Sequence, residues 1–222
     1  MDYSVQPRAF AYLSREWADP VWSPLPTLEI AHYRPESSDH RPQTLVRLAY
    51  SPDALWGIFR VVDRYVRCTH VGYGAEVWKD SCVELFLQPF QSGSYVNFEF
   101  NCGGSFLCSH VVDPTRTPEG GLANARPIPV EIARQVSVST SLPRVVEPEI
   151  PRPVVWTLAF RIPFAVLESC VGYFGNPVGQ TWRANLYKCA EENSHPHWAA
   201  WSPVDALNFH LPRCFGSLTF AH

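Results

Sequence analysis

The sequence predicts a single all-β domain over residues 1–222, built as a sandwich of two antiparallel sheets. Short runs rich in Val, Ile, Phe, Tyr and Trp recur along the chain, and such runs are typical of strands. The 21 Pro and 12 Gly residues are scattered between these runs, where they interrupt long helices. Antiparallel strands with short connections favour two packed sheets.

The composition is that of a globular protein, with 46% hydrophobic and 18% charged residues. A formal net charge of -3 provides no basic surface for nucleic acid or for an anionic membrane. No apolar run approaches the roughly 20 residues that span a bilayer, and the first ten residues, MDYSVQPRAF, do not resemble a signal peptide. We therefore expect no nucleic-acid or membrane partner, and a cytoplasmic location, or an exported one if the sequence has been trimmed.

Nine strands are expected, and in several of them apolar and polar side chains alternate. They cover residues 44–50, 55–63, 82–89, 95–101, 105–112, 130–140, 154–163, 181–188 and 216–221. The segment FAVLESC (164–170) after Pro163 predicts a short helix. We expect loops at 32–43 and 113–129, and an exposed turn or hairpin tip at 142–153.

The seven cysteines form no CxxC pair, and Cys82 lies within a predicted strand. A buried free cysteine behaves as a small hydrophobic residue. We interpret the cysteines mostly as reduced thiols, which favours the cytoplasmic location; one or two disulfides are the alternative.

Three predicted strands carry polar side chains on the face that points away from the core. In YVNFEFN (95–101), for example, Val96, Phe98 and Phe100 share one face and the polar residues share the other. The outward set is Glu84, Asn97, Glu99, Asn101, Arg183, Asn185 and Tyr187. These side chains would converge if the strands are neighbours, although an exposed polar face is also what any antiparallel sandwich shows to solvent. A structural ion pair between Glu84 and Arg183 is a further alternative.

Such a face suits a ligand that is dense in hydroxyl groups, because carboxylates accept, arginine donates and asparagine does both. Trp78, Trp198 and Trp201 lie in polar segments near the ends of these strands, where indoles could cover the apolar face of a sugar ring. The other tryptophans are interpreted as core or packing residues: Trp17, Trp22, Trp56, Trp156 and Trp182.

Five segments in a fixed order resemble the carbohydrate-binding module family 9-like proteins of the wider DOMON-like group. They are VWKDSCVELFLQP, YVNFEFN, WTLAFRIPF, WRANLYKC and HPHWAAWSPVDALNFHLPRCFGSLTF. The likeness extends from about Trp17 to Phe220. It implies a jelly-roll-like sandwich that binds a mono- or oligosaccharide and has no catalytic activity of its own.

The resemblance also implies a site in which two tryptophans sandwich a terminal sugar. Trp78 and Glu84 match the first tryptophan and the glutamate that follows it, and Trp198 or Trp201 matches the second, with Trp201 preferred. Glu99 stands where sugar-binding members offer an arginine. Members can hold structural calcium, although no dense Asp/Asn loop stands out here. The predicted ligand-binding residues are Trp78, Glu84, Asn97, Glu99, Asn101, Arg183, Asn185, Trp198 and Trp201.

Three alternatives stay open at this point. A haem-binding domain could use two of the residues His110, His195, His197 and His210. Zinc could bind His195 and His197 together with Asp205 or Glu191. A glycoside-active enzyme could use Glu84 and Glu99, but an open sheet face would lack the desolvated pocket that raises the pKa of a catalytic acid.

Overall fold

The computed structural model describes residues 1–91 and 93–222 and consists mainly of strands. The elements are β1 (Asp2–Pro7), β2 (Leu28–Ile30), β3 (His32–Tyr33), β4 (Gln43–Ser51), β5 (Ala54–Asp63), β6 (Val66–Cys68), β7 (Cys82–Gln88), β8 (Tyr95–Asn101), β9 (Phe106–Arg116), β10 (Leu122–Pro127), α1 (Val130–Ala133), β11 (Ser137–Thr140), β12 (Val146–Ile150), β13 (Val154–Pro163), α2 (Phe164–Val171), β14 (Thr181–Ala190), β15 (His197–Ala200) and β16 (Gly216–Phe220). Short 3₁₀ turns occur at Val77–Lys79 and Pro212–Cys214.

The strands form two packed sheets that share β1. The front sheet has the order β10-β9-β8-β7-β14-β16, and β15 adds to it by pairing with β14 and β3. The back sheet has the order β4-β5-β13-β11, with β2 against β4. The first half of β1 pairs with β16 and the second half with β4, both in parallel. The strands β6 and β12 form a separate pair.

The main core lies between the two sheets, where their apolar faces meet. The alternation in YVNFEFN is confirmed: Val96, Phe98 and Phe100 are fully buried in this core. The rings of Phe100 in the front sheet and Phe160 in the back sheet stack with centroids 5.6 Å apart. A Cβ atom at Gly57 would lie 2.3 Å from the Phe160 ring, so the close packing there requires glycine. The predicted two-sheet sandwich is therefore confirmed.

The outer face of each sheet is covered as well. On the front sheet, Phe86 and Tyr187 form a second apolar cluster with residues from 204–215, and the rings of Tyr187 and Phe209 stack 4.0 Å apart. On the back sheet, Trp22 and Trp56 pack with Phe10 in a third cluster. The expectation of a solvent-exposed polar face on the front sheet is wrong, because a chain segment from outside the sheet folds across it.

Several element predictions are confirmed and others need correction. The strands at 95–101 and 154–163 match β8 and β13, and the helix at 164–170 matches α2. The strand expected at 130–140 is wrong in its first half, because the chain turns into α1 directly after Pro129, whose φ of -54° suits a helix start. The loop expected at 113–129 contains the end of β9 and all of β10.

The described part of the chain has free cysteines and two short helices. All seven cysteines lie in the described residues as free thiols, and five of them are buried. Among the described residues, neither helix has the length and apolar character needed to cross a bilayer.

Candidate functional site

A cavity of about 540 Å³ opens on the outer side of the front sheet. Its sheet side is formed by Glu84 of β7, Glu99 of β8 and Cys189 of β14. Trp78 and Trp198 also line it. The rest of the wall comes from the β9–β10 hairpin and from the segment before β16: Arg116, Gly120, Gly121, Leu122, Glu191, Leu207, Asn208, Phe209 and His210. The volume falls in the range of small-molecule pockets.

The two glutamates of the cavity are directly opposed on neighbouring strands. Glu84 is 3% and Glu99 6% exposed. The pair therefore does not lie on the open sheet face that we expected, but in a desolvated place. Cys189 Sγ donates to Glu84 Oε1 at 3.2 Å, and Asn97 Nδ2 donates to Glu99 Oε1 at 2.7 Å. The pair therefore sits in a defined hydrogen-bond environment.

The burial changes the protonation of this pair. Burial, and next the charge of Glu99, raises the pKa of Glu84 well above its ordinary value. Burial raises the pKa of Glu99 to about 7, against the opposing hydrogen bond from Asn97. Near neutral pH the pair consequently holds at least one proton and offers both a hydrogen-bond donor and acceptors.

Trp78 and Trp198 are half-buried and both face the cavity. Trp78 lies in the 3₁₀ turn before β7, and Trp198 lies on β15 directly opposite Cys189. Glu191 Oε1 accepts a hydrogen bond of 3.2 Å from the Trp198 indole, which orients the ring. Apolar ring surface is thus held beside the buried carboxyl groups.

Trp201 takes a different place, and our preference for it as the second cavity tryptophan is corrected. It is 4% exposed and belongs to the main core. Its ring lies 3.0 Å from where a Cβ atom of Gly216 would be, so the indole packs closely against that glycine. In an extended chain, residues three apart point to opposite faces, so Trp198 and Trp201 cannot both face the cavity.

The remaining predicted residues lie outside the cavity lining, where their polar groups bond to the protein itself. Asn97 supports Glu99, and Asn101 Nδ2 donates to His70 O at 2.7 Å and to Asp80 Oδ2 at 2.9 Å. Asn185 exchanges two hydrogen bonds of 2.9 Å with the backbone of Ser202. These amides hold strands and loops around the cavity.

Arg183 does not meet Glu84, so the alternative of a structural pair is wrong. In the register of β7 and β14, Arg183 lies opposite Gln88, and Glu84 lies opposite Tyr187. Arg183 Nη2 donates instead to Phe215 O at 3.0 Å. This bond ties the segment that covers the front sheet to β14.

Sequence reasoning missed the cavity residues Arg116, Asn208 and His210. Arg116 donates to Gly120 O at 2.8 Å and to Asn208 Oδ1 at 3.0 Å, which joins the hairpin to the covering segment. His210 Nδ1 lies 2.7 Å from the Tyr95 hydroxyl, and burial, with the charge of Arg116, lowers its pKa to about 3. The Gly120-Gly121 pair was the available signal, since such a dipeptide between two strand-like runs marks a hairpin.

The alternative metal and haem ligands are dispersed. His195 stacks on Tyr65 at 3.6 Å, whereas His197 is buried with Nε2 2.7 Å from Lys188 Nζ. Asp205 pairs with Arg213 at 2.6 Å. Within residues 1–91 and 93–222, one close group of potential metal ligands occurs: Cys82, Glu84 and Cys189. It contains neither histidine of the expected zinc site, and its sulfur atoms do not suit calcium.

A second cavity, of about 930 Å³, is bordered by Tyr50, Phe164 and Tyr173. No tryptophan is among its described lining residues. The first cavity is therefore the one that combines indoles with buried carboxyl groups.

A β-sandwich with an indole-lined polar cavity defines a ligand-binding module. The family model for carbohydrate-binding family 9 matches residues 24–220, and the chain therefore belongs to that family. The modules of this family are non-catalytic. The family resemblance noted in the sequence is thus confirmed.

Solved structures show the same fold. A proposed carbohydrate-binding protein from Bacteroides uniformis is similar with a TM-score of 0.85 and 25% identity, over 99% of this chain and 98% of that chain. A family 9 module from Caldicellulosiruptor kristjanssonii in complex with glucose has a TM-score of 0.65 and 13% identity, over 99% and 95%. A family 9 module from the same organism in complex with cellotriose has a TM-score of 0.66 and 13% identity, over 100% and 94%. No curated protein sequence matches the chain.

Proposed function

We propose that the 540 Å³ cavity binds a mono- or oligosaccharide, with Trp78 and Trp198 as the stacking surfaces. The observation that carries this proposal is that one cavity brings two half-buried indoles to a pair of buried, opposed carboxyl groups. Membership of carbohydrate-binding family 9 supports it, as do the glucose and cellotriose complexes of family 9 modules from Caldicellulosiruptor kristjanssonii.

The chemistry of the lining matches the two surfaces of a sugar. Indoles cover the apolar C–H face of a pyranose ring, and they lose little rotamer entropy because they are already oriented. Glu84 and Glu99, holding at least one proton between them, donate to one hydroxyl and accept from another. Arg116 and Asn208 also line the cavity and supply a further donor and acceptor.

The expected affinity follows from the number of contacts. Each hydroxyl hydrogen bond contributes roughly 1 kcal/mol net, because it replaces a bond to water. A few such bonds and two stacked indoles correspond to dissociation constants on the order of micromolar to millimolar.

Isothermal titration calorimetry with glucose, cellobiose and cellotriose tests the proposal. Trp78→Ala and Trp198→Ala should each weaken binding at least tenfold, or about 1.4 kcal/mol, because each removes one stacking surface. Trp17→Ala is the matched control. Trp17 is also half-buried, but it packs on Arg47 beside the back sheet, 4.0 Å from the guanidinium carbon to the ring centre. That variant should bind like the original chain.

Two outcomes would overturn the proposal. One is unchanged sugar affinity in a folded Trp78→Ala, Trp198→Ala double variant. The other is that the original chain binds none of these sugars and nothing in a glycan-array screen carried out with and without calcium.

A further inference from the structure

Cys82, Glu84 and Cys189 form a compact group of potential ligands on two neighbouring strands. Cys82 and Cys189 are directly opposed, and Glu84 lies two residues further along β7 on the same face. Their ligand atoms all lie within 4.8 Å of one another, and Cys189 Sγ is 3.2 Å from Glu84 Oε1. All three side chains are buried. Strand pairing, and not a mobile loop, thus fixes their positions.

We propose that these three residues bind one zinc ion or a similar thiolate-preferring divalent cation, with a fourth coordination position open to the cavity. Zinc accepts cysteine sulfur at about 2.3 Å and carboxylate oxygen at about 2.0–2.2 Å, usually in a tetrahedron. Such a tetrahedron separates neighbouring ligand atoms by about 3.5–3.8 Å. The Cys189 Sγ–Glu84 Oε1 separation of 3.2 Å is slightly shorter than this value, and every separation in the group is at most 4.8 Å, so side-chain rotations need to move the ligand atoms by about 1 Å.

The surroundings of the group favour a cation. Glu84 and Cys189 line the cavity and Cys82 does not, so solvent can reach the fourth position from the cavity side. The cavity lining also contains the carboxyl groups of Glu99 and Glu191, against one arginine, Arg116. These acidic groups would stabilise a bound divalent cation, which would displace the proton that Glu84 and Glu99 otherwise hold between them.

The donor set also selects the type of metal. Two sulfur ligands favour zinc and other thiolate-preferring ions over calcium and magnesium, which take oxygen ligands. Binding converts both thiols to thiolates and releases their protons to solvent, so affinity should rise with pH. No electron transfer is involved, because zinc stays divalent and the sulfur atoms remain at the thiolate level.

Cobalt(II) provides a spectroscopic test, since its thiolate complexes absorb in the near ultraviolet. The reduced, metal-free protein should develop this band with one equivalent of cobalt, and one equivalent of zinc should abolish it. Calcium and magnesium should not compete. Cys82→Ser should lower cobalt and zinc affinity at least tenfold, the lower end of what the loss of a supporting group costs in metal sites.

Two cysteine variants serve as controls. Cys170→Ser removes a half-buried thiol on α2, and Cys102→Ser removes a buried thiol outside the group. Both should bind cobalt like the original chain. Because Cys82 does not line the cavity, Cys82→Ser should keep its sugar affinity, so failure of the metal site and failure of the saccharide site give different results.

The proposal is overturned if the reduced protein shows no stoichiometric cobalt band. It is also overturned if Cys82→Ser binds cobalt with the affinity of the original chain. Circular dichroism and a cooperative thermal transition establish that each variant is folded. If Cys82→Ser does not fold, Cys82→Ala takes its place with the same expected loss of cobalt affinity.

Discussion

Trp198 and Trp201 lie three residues apart and serve opposite faces of the front sheet. Trp198 is half-buried on the cavity, and Trp201 is packed in the core against Gly216. The same division appears within YVNFEFN, where the phenylalanines enter the core and Glu99 lines the cavity. A residue's side of the sheet therefore decides whether it packs in the core or lines the cavity.

Trp201→Ala should lower the free energy of unfolding by about 3–5 kcal/mol, because it leaves a cavity in the core. Urea denaturation followed by circular dichroism measures this loss. Trp198→Ala is the control, and it should cost less stability because its ring is partly solvated already. Comparable stability losses in both variants would contradict this assignment of the two indoles.

The strand β14 carries ionisable side chains on both of its faces. Cys189 faces the cavity, while the neighbouring Lys188 is fully buried on the other side. Lys188 Nζ lies 3.8 Å from Asp63 Oδ2 of β5, so this ion pair connects the front and back sheets. His40 and Trp156 also bond Asp63, at 2.8 Å and 3.1 Å.

This buried pair makes stability depend on pH. Burial alone would raise the pKa of Asp63, but Lys188, the hydrogen bond from His40 and the nearby His197 lower it to about 2. The ordinary value is about 3.9, so the folded state binds fewer protons than the unfolded state between these values. The contribution is fully present above about pH 4 and is lost as the pH falls toward 2, and it amounts to about 3 kcal/mol.

Asp63→Asn should therefore destabilise the protein at pH 7 by about 3–5 kcal/mol, because it leaves Lys188 buried without its counter-charge. The difference from the original chain should shrink as the pH falls from 4 to 2. Urea unfolding at several pH values measures both effects. The exposed Asp39→Asn is the control. A stability difference that stays constant over this pH range would contradict the assigned role of the Asp63 charge.

The strand β1 connects the two sheets of the sandwich. It pairs with β16 of the front sheet and with β4 of the back sheet, although it precedes the family-matched range of 24–220. Val5 is fully buried, and the Tyr3 hydroxyl donates to Pro26 O at 2.7 Å. Without β1, the edge of β16 and the end of β4 at Ala49–Tyr50, beyond the part paired with β2, would be left unpaired.

Removal of residues 1–7 should lower the melting temperature strongly and promote aggregation, because two strand edges become exposed. Val5→Ala should cause a smaller loss, on the order of 2 kcal/mol. Ser4→Ala, an exposed position on the same strand, should change stability by less than about 0.5 kcal/mol. Differential scanning calorimetry and light scattering provide the readouts. An unchanged melting transition after the deletion would show that β1 is not needed to hold the sheets together.

Local pattern alone was enough to predict much of the framework. Alternation identified β8 and β13 and assigned Val96, Phe98 and Phe100 to the core. Alternation also singled out Glu84 and Glu99, and the polar segments near the strand ends singled out Trp78 and Trp198. All four line the cavity, and their contacts with sugar stay predictions. These features depend on neighbours within a few residues, which is the range over which backbone geometry orders side chains.

Long-range packing decided the rest. Segment 204–215 covers the outer face of the front sheet. Glu84 and Glu99, which alternation placed on that outer face, are therefore buried, and burial raises the pKa of both carboxyl groups. The β9–β10 hairpin brings Arg116 to the cavity, and strand pairing brings Cys189 beside Cys82. Alternation states on which side of a strand a residue lies. Only the tertiary structure determines what covers that side, because the covering groups come from distant parts of the chain.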